Sequence, residues 1–78
     1  MQITYDPRYN IAYLRLKDKV QEVQTIRVGD ALNIDLTPDG TIYGIELLNA
    51  NEQLSQDHGS LIFINEALGK RDEIPLIS

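Results

Sequence analysis

The stretch LNIDLTPDGTIYGIELL, residues 32–48, is the part of the chain that decides the fold. Leu32, Ile34 and Leu36 alternate with polar residues, which is the two-residue period of a half-buried strand. The turn sequence TPDG follows, in which proline suits the second position of a turn and glycine a position that needs positive φ. Apolar residues then recur through Leu48, so residues 32–48 predict a β-hairpin.

The residues before this hairpin predict three more strands, because polar and apolar residues alternate between turn signals. In chain order they are Gln2–Asp6, a turn through Asn10, Ile11–Lys17, a tight turn at Asp18–Lys19, and Val20–Val28. The apolar residues of the last segment do not share one parity. We therefore expect a β-bulge or a change of face near Gln24.

The final strand of the meander, Thr41–Leu48, is apolar on both faces. Its alternation places Tyr43, Ile45 and Leu47 on one face, and Ile42, Gly44, Glu46 and Leu48 on the other. A sheet with one side in water does not need Ile42 and Leu48 on its second face. We therefore expect another element to cover that face.

The C-terminal third offers two candidates for this cover. Asn49 and Glu52 have the spacing of a capping box, which predicts a short helix through about Gln56. The residues Ser60–Gly69 fit either a helix, because Leu61, Ile64 and Leu68 have helical spacing, or a strand that pairs with Glu73–Ile77. The capping pattern, with Ser60 before and Gly69 after, favours the helix slightly.

These patterns predict an α+β, mainly β fold: an antiparallel β-meander of about five strands with one or two short C-terminal helices. We expect a single domain over residues 1–78, with the β-meander in residues 1–48 and a helical or extended segment in residues 49–78. A chain of 78 residues buries a thin core, so self-association is the expected supplement.

Composition and charge exclude several classes of function. The net charge is −5, and no Lys or Arg lies between Val28 and Gly69, which opposes binding to nucleic acid. The chain has no cysteine and one histidine, so we expect no cofactor and no metal centre. No signal peptide or membrane-spanning run is evident, and we expect a cytoplasmic protein without a membrane partner.

An ordered series of motifs resembles one known family. The motifs are ITYDP at 3–7, AYLRL at 12–16, Asp35 ahead of Asp39-Gly40, and GIELLNA at 44–50. This series is similar to the prokaryotic domain-of-unknown-function 2283 family, and the resemblance spans roughly residues 1–54. It implies a β-meander with a helical addition and no assigned activity. Asn10 and Asn49 stand where that family usually has acidic residues.

Candidate site residues are few. Glu46 interrupts an apolar strand and is expected to pair with a cation such as Arg15 or to be partly exposed. Asp6, Asp35 and Glu46 are candidates for binding a divalent cation through oxygen atoms. Tyr5, Tyr9, Tyr13 and Tyr43 are candidates for an aromatic surface cluster. The predicted interaction surface comprises Tyr5, Tyr13, Ile42, Tyr43, Glu46 and Leu48.

The leading functional hypothesis is a non-enzymatic interaction module that self-associates as a homodimer, through an exposed sheet edge or the face that carries Ile42 and Leu48. A second hypothesis is an acidic, antitoxin-like partner that masks a basic protein, because the acidic stretch lacks cations. The third is a carboxylate-dependent enzyme that uses Glu46, Asp35 and His58.

Overall fold

Five antiparallel strands form one sheet in the computed structural model, which describes residues 1–18 and 22–77. The strands are β1 (Gln2–Asp6), β2 (Ile11–Arg15), β3 (Gln24–Val28), β4 (Leu32–Leu36) and β5 (Ile42–Leu48). The mainly β prediction is confirmed. The predicted turn at Lys19 and the predicted strand start at Val20 lie outside the described residues.

The longest strand, β5, lies at the centre of the sheet, whose order is β1-β2-β5-β4-β3. β3, β4 and β5 follow one another as a meander, and the β1–β2 hairpin adds to the free side of β5. β1 and β3 therefore form the two edges.

A register shift between β4 and β5 changes which residues share a face. Asp35 pairs with Gly44, but the next residue, Leu36, pairs with Ile42, so Tyr43 is an extra residue in β5. Such a bulge reverses the alternation beyond it. The prediction that Ile42 faces the same way as Leu48 is therefore wrong. β3 pairs regularly with β4 from Gln24 to Val28, so the predicted bulge does not lie within this strand, and residues 20 and 21 of the predicted segment are outside the described residues.

The pairing register gives the sheet one apolar and one mixed polar face. The apolar face carries Ile3, Tyr5, Ala12, Leu14, Ile26, Val28, Leu32, Ile34, Leu36, Ile42, Ile45 and Leu47. The opposite face, called here the polar face, carries Thr4, Tyr13, Arg15, Thr25, Arg27, Asn33, Asp35, Gly44 and Glu46, with Ile11 and Leu48 at one end.

A short helix follows the sheet, but the predicted capping box is wrong. Helix α1 spans Ala50–Gln53, and Asn49 before it has a left-handed backbone and makes no side-chain cap. Asn51 instead holds the helix to the β1–β2 turn. Its backbone N–H donates to Oδ1 of Asn10 at 2.7 Å, and Nδ2 of Asn10 donates to Oδ1 of Asn51 at 2.6 Å.

The segment after α1 is a turn followed by a second hairpin. The element α2 (Gln56–Gly59) contains left-handed backbone at Asp57 and His58, so it is a kinked turn. Strands β6 (Ser60–Asn65) and β7 (Lys70–Pro75) then form a two-stranded antiparallel sheet. The favoured helical interpretation of Ser60–Gly69 is wrong, and the strand alternative is confirmed, with the partner strand at Lys70–Pro75 rather than at Glu73–Ile77.

Local chemistry explains this hairpin. The run Leu61–Ile64 is rich in residues that favour strands. At the turn, Oδ1 of Asn65 accepts the backbone N–H groups of Ala67 and Leu68 at 3.1 and 3.3 Å, and Gly69 takes a φ of 65°. Leu61 and Ile64 lie in β6, whereas Leu68 lies in the turn that follows it. The helical spacing of these three residues therefore does not reflect a helix.

The core lies where α1 and the C-terminal tail meet one part of the apolar face. Among the residues that the structure describes, Ala12, Ala50 and Leu54 are the buried hydrophobic ones, and no large side chain is fully buried. Half-buried side chains pack around them: Ile3, Tyr5, Leu47, Leu76 and Ile77. Within the described residues, no helix is long and apolar enough to span a membrane.

Candidate functional site

The apolar face is covered on one side of the sheet and exposed on the other. We define the covered half as the β1–β2 side, where Ala12 is 0% exposed beneath Ala50 and Leu54. We define the open face as the β3–β4 side together with the adjoining part of β5. It comprises Ile26 (41% exposed), Val28 (46%) and Ile42 (40%), and the half-buried Ile34, Leu36 and Ile45.

The open face results from the small size of the cover. Helix α1 is four residues long, and the core cluster to which it belongs contacts β1, β2 and the end of β5. Gln53 reaches furthest across the sheet, where its amide donates to the carbonyl of Ala31 at 2.9 Å. Beyond that point the apolar side chains of β3 are left in solvent, and every residue of β3 is exposed.

The total surface of the chain measures how incomplete this packing is. A compact folded chain of 8.8 kDa exposes roughly 4,800 Å². This chain exposes 6048 Å², about 1,300 Å² more. Its radius of gyration is 14.0 Å, against about 11.5 Å for a compact chain of 78 residues.

The β6–β7 hairpin carries a second exposed apolar patch. Leu61 pairs with Ile74, and Phe63, two residues further along the same face, pairs with Asp72. Leu61 is 43% exposed, Ile74 is 50% exposed and Phe63 is 56% exposed. We call this face the arm patch. Exposed contiguous apolar surface of this kind marks contact surfaces in soluble proteins.

A hydrogen-bonded network occupies the polar face of the sheet. The hydroxyl of Tyr13 donates to Oδ2 of Asp35 at 2.6 Å, and the hydroxyl of Thr25 donates to Oδ1 of the same carboxylate at 2.6 Å. Nδ2 of Asn33 donates to Oε1 of Glu46 at 2.8 Å. These contacts join β2, β3, β4 and β5, so the network ties four strands together.

Gly44 makes room for the Tyr13 ring in this network. A Cβ atom at position 44 would lie 2.5 Å from Cζ of Tyr13, which is far inside van der Waals contact. Burial and the hydrogen bond to Asp35 raise the pKa of Tyr13 well above its usual value. Tyr13 is therefore held as a neutral hydrogen-bond donor, and its phenol is not prepared to act as a base.

The predicted interaction residues are divided between the two faces. Tyr13 and Glu46 belong to the network on the polar face, and the Tyr43 ring lies beside Tyr13 with centroids 6.5 Å apart. Leu48 is half-buried at one end of the same face. Tyr5 packs against the core on the apolar face. Ile42 lies on the open face.

Other predicted groupings do not form within the described residues. Tyr9 is 70% exposed in the β1–β2 turn, with the Arg8 guanidinium 5.6 Å from its ring centroid, so the four tyrosines make no single cluster. Asp6 pairs with Arg8 at 3.5 Å rather than joining Asp35 and Glu46. Residues 1–18 and 22–77 contain no group of three metal-ligating side chains.

Glu46 is partly exposed, as one of the two predicted alternatives proposed, and among the described residues it forms no ion pair with Arg15. Nε of Arg15 is buried without a hydrogen-bond partner there. His58 lies in the kinked turn beside Ser55 and Ile77, separate from the network of Asp35 and Glu46.

The acidic residues of the cation-free stretch are spread over the fold. Asp30 pairs with Arg27 at 3.2 Å in the β3–β4 turn. Asp39 accepts hydrogen bonds from the side chains of Thr37 and Thr41 in the β4–β5 turn, which lower its pKa to about 2. Glu66 lies in the β6–β7 turn. These turns belong to different parts of the fold.

Apart from Ile42, the residues of the open face were not identified from the sequence. Ile26 and Val28 share a parity that would have signalled an apolar face on β3, but the irregular segment before them obscured it. Leu61 and Phe63 are two residues apart, which is the spacing of one face of a strand. The helical spacing of Leu61, Ile64 and Leu68 concealed this signal. In each case the signal was local, whereas exposure depends on which element covers the residue.

The fold and its surfaces define a small antiparallel β-sheet protein with an apolar face that its own chain covers in part. The family described as Protein of unknown function (DUF2283) matches residues 2–51, and this chain belongs to that family. The match ends within α1, so the β6–β7 hairpin and the tail lie outside it. Searches of curated proteins and of solved structures found no match.

Proposed function

We propose that this protein is a non-enzymatic interaction module that forms a homodimer through the open face. The observation that carries the proposal is the exposure of Ile26, Val28 and Ile42 on a sheet face whose other half is buried by the same chain. Apolar side chains on a continuous sheet face gain free energy when a second surface removes them from water. A second copy is always available at the site of synthesis.

The amount of exposed surface matches what a dimer requires. A standard protein interface buries about 800 Å² on each partner. The surface of this chain exceeds that of a compact protein by about 1,300 Å², which is enough for one interface of that size. A two-fold pairing uses the same patch on both copies and closes the assembly at two.

The polar face supports an interaction role better than a catalytic one. Both oxygens of Asp35 accept a hydrogen bond from a neighbouring hydroxyl, and Glu46 accepts one from Asn33. A carboxylate that is satisfied by its neighbours orders the sheet. Catalysis would need a free acid or base beside a cleft, and His58, the third predicted member, is in a different element.

Sedimentation velocity over a range of micromolar concentrations tests the proposal. We expect the wild-type chain to sediment as a dimer, and Ile26→Asp to sediment as a folded monomer. Ile26 is 41% exposed in the single chain, so a charge there is tolerated by the monomer but is costly in a dry interface. Circular dichroism checks that the variant keeps its strand content.

Tyr9→Asp is the matched control, because Tyr9 is exposed in the β1–β2 turn, away from the open face. We expect it to remain dimeric. A wild-type chain that stays monomeric at every concentration overturns the homodimer. In that case a basic protein, the alternative suggested by the cation-free stretch, becomes the partner to test by co-purification.

A further inference from the structure

The β6–β7 hairpin is an arm whose apolar side is not covered by any element among residues 1–18 and 22–77. A two-stranded hairpin is marginally stable in water unless one of its faces packs against another element. The arm patch of Leu61, Phe63 and Ile74 is about half exposed, and Phe63 is the most exposed of the three at 56%. The arm therefore lacks the packing that a hairpin of this size needs.

The root of the arm is held to the covered half of the sheet. Backbone N–H groups of Leu76 and Ile77 donate to the carbonyl of Gly59 at 2.8 and 3.1 Å, which brings the two ends of the hairpin together. Ile74 lines a cleft of about 300 Å³ together with Ile3 and Tyr5 of β1. The arm patch and the apolar side of the sheet therefore border the same cleft.

The arm and the open face lie at opposite sides of one sheet. The root borders the cleft beside β1, whereas the open face is on β3 and β4. At 4.8 Å per strand, β3 is roughly 19 Å from β1. The arm does not lie on its own open face, because both patches are exposed in the same chain. A second copy can supply what each patch lacks.

We infer that the dimer forms by arm exchange: the arm patch of each copy packs on the open face of its partner. This inference rests on the proposed homodimer and names the surface that occupies the open face. A two-fold axis makes both contacts equivalent, so both patches on both copies are buried in one closed assembly. Each hairpin strand has six residues and spans roughly 20 Å, enough to cross the β3, β4 and β5 part of the face.

The absence of cysteine in the native sequence allows a direct test. Phe63→Cys and Ile26→Cys chains of different mass are prepared separately, mixed, and oxidised under mild conditions. We expect a disulfide-linked pair that contains one chain of each kind. The Tyr9→Cys chain mixed with Ile26→Cys is the matched control, and it should give no such preference.

A second variant tests the arm by affinity. Phe63→Ser removes the aromatic side chain of the arm patch, and truncation of an aromatic hot-spot residue costs an interface ~2 kcal/mol or more. We expect the dimer dissociation constant to rise about 30-fold or more. Phe63 is exposed in the single chain, so the fold of the monomer should be unchanged.

The outcomes separate the two proposals. If Ile26→Asp yields monomers while Phe63→Ser leaves the dimer intact and no 63–26 disulfide forms, arm exchange is wrong and the homodimer stands. Preferred 26–26 disulfides in the Ile26→Cys chain alone would show that two open faces pack on each other, which also overturns arm exchange. A monomeric wild type overturns both.

Discussion

The covered half and the open face differ in what lies above them more than in what they contain. Both present aliphatic side chains from paired antiparallel strands, with Ile3 and Leu47 on one side and Ile26 and Ile34 on the other. Ala50 and Leu54 seal the first side, whereas the second remains in solvent. The difference shows that an apolar strand pattern predicts a need for burial and does not specify which element supplies it.

The reach of α1 decides where the boundary between the two regions falls. The hydrogen bonds between Asn10 and Asn51 hold the helix over the β1–β2 side, and its four residues end before β3. A longer helix would have completed the core of a single chain. In this protein, the C-terminal residues instead form an arm with its own exposed patch.

The largest effect is expected from Leu54→Ala. Leu54 is 9% exposed and seals the covered half, so its truncation leaves a cavity and should cost about 2–4 kcal/mol of unfolding free energy. Chemical denaturation at two protein concentrations measures it. The matched change on the open face, Ile26→Ala, should lower the free energy of unfolding by less. Part of its effect should disappear on dilution, because Ile26 is expected to be buried only in the dimer. Equal, concentration-independent costs would contradict the distinction between the two regions.

An intermediate effect is expected from Gly44→Ala on the polar face, which serves as a reference for both regions. The new Cβ displaces the Tyr13 ring and weakens its hydrogen bond to Asp35, for a cost of about 1–3 kcal/mol. A double-mutant cycle with Tyr13→Ala should show strong non-additivity. Additive costs would indicate that Tyr13 does not occupy the space above Gly44.

The smallest effect is expected from alkaline pH. The folded state raises the pKa of Tyr13 above its ordinary value of 10.0, so the folded chain retains a proton that the unfolded chain loses. The stabilisation is complete below pH 10 and declines as the pH rises from there through the folded pKa. Phenolate absorbance should show one tyrosine that titrates after the others, and Tyr13→Phe should remove that late step. Four tyrosines that titrate together would contradict this assignment.

Alternation of polar and apolar residues predicted those strands that bury one face and that are bounded by turns containing Pro, Gly, Asn or Asp. The strands near residues 2–6, 11–15 and 32–36 were placed correctly for that reason. The hairpin at residues 60–75 was mispredicted because helix capping and strand propensity point in different directions there. Only pairing with β7 distinguishes them, and those pairs join residues from Asn65 with Lys70 to Ser60 with Pro75, beyond the one-turn spacing that signals a helix.

The candidate site was less predictable than the fold. Glu46, Tyr13 and Asp35 were singled out, but their hydrogen-bond pairing was not. Asn33 and Asp35 lie on β4, whose register with β5 depends on the bulge at Tyr43. The bulge also moved Ile42 to the opposite face from the one predicted. One extra residue changes the side on which the following residues lie, and residue types alone do not reveal it.

The amino-acid sequence of this protein was sufficient to establish a small, acidic, mainly β chain and its family, because both follow from local patterns and ordered motifs. Tertiary structure alone decided the strand order, the faces on either side of the bulge, and the division of the apolar face into covered and open regions. These depend on contacts between distant residues, and a local pattern carries no information about which distant surface will meet it.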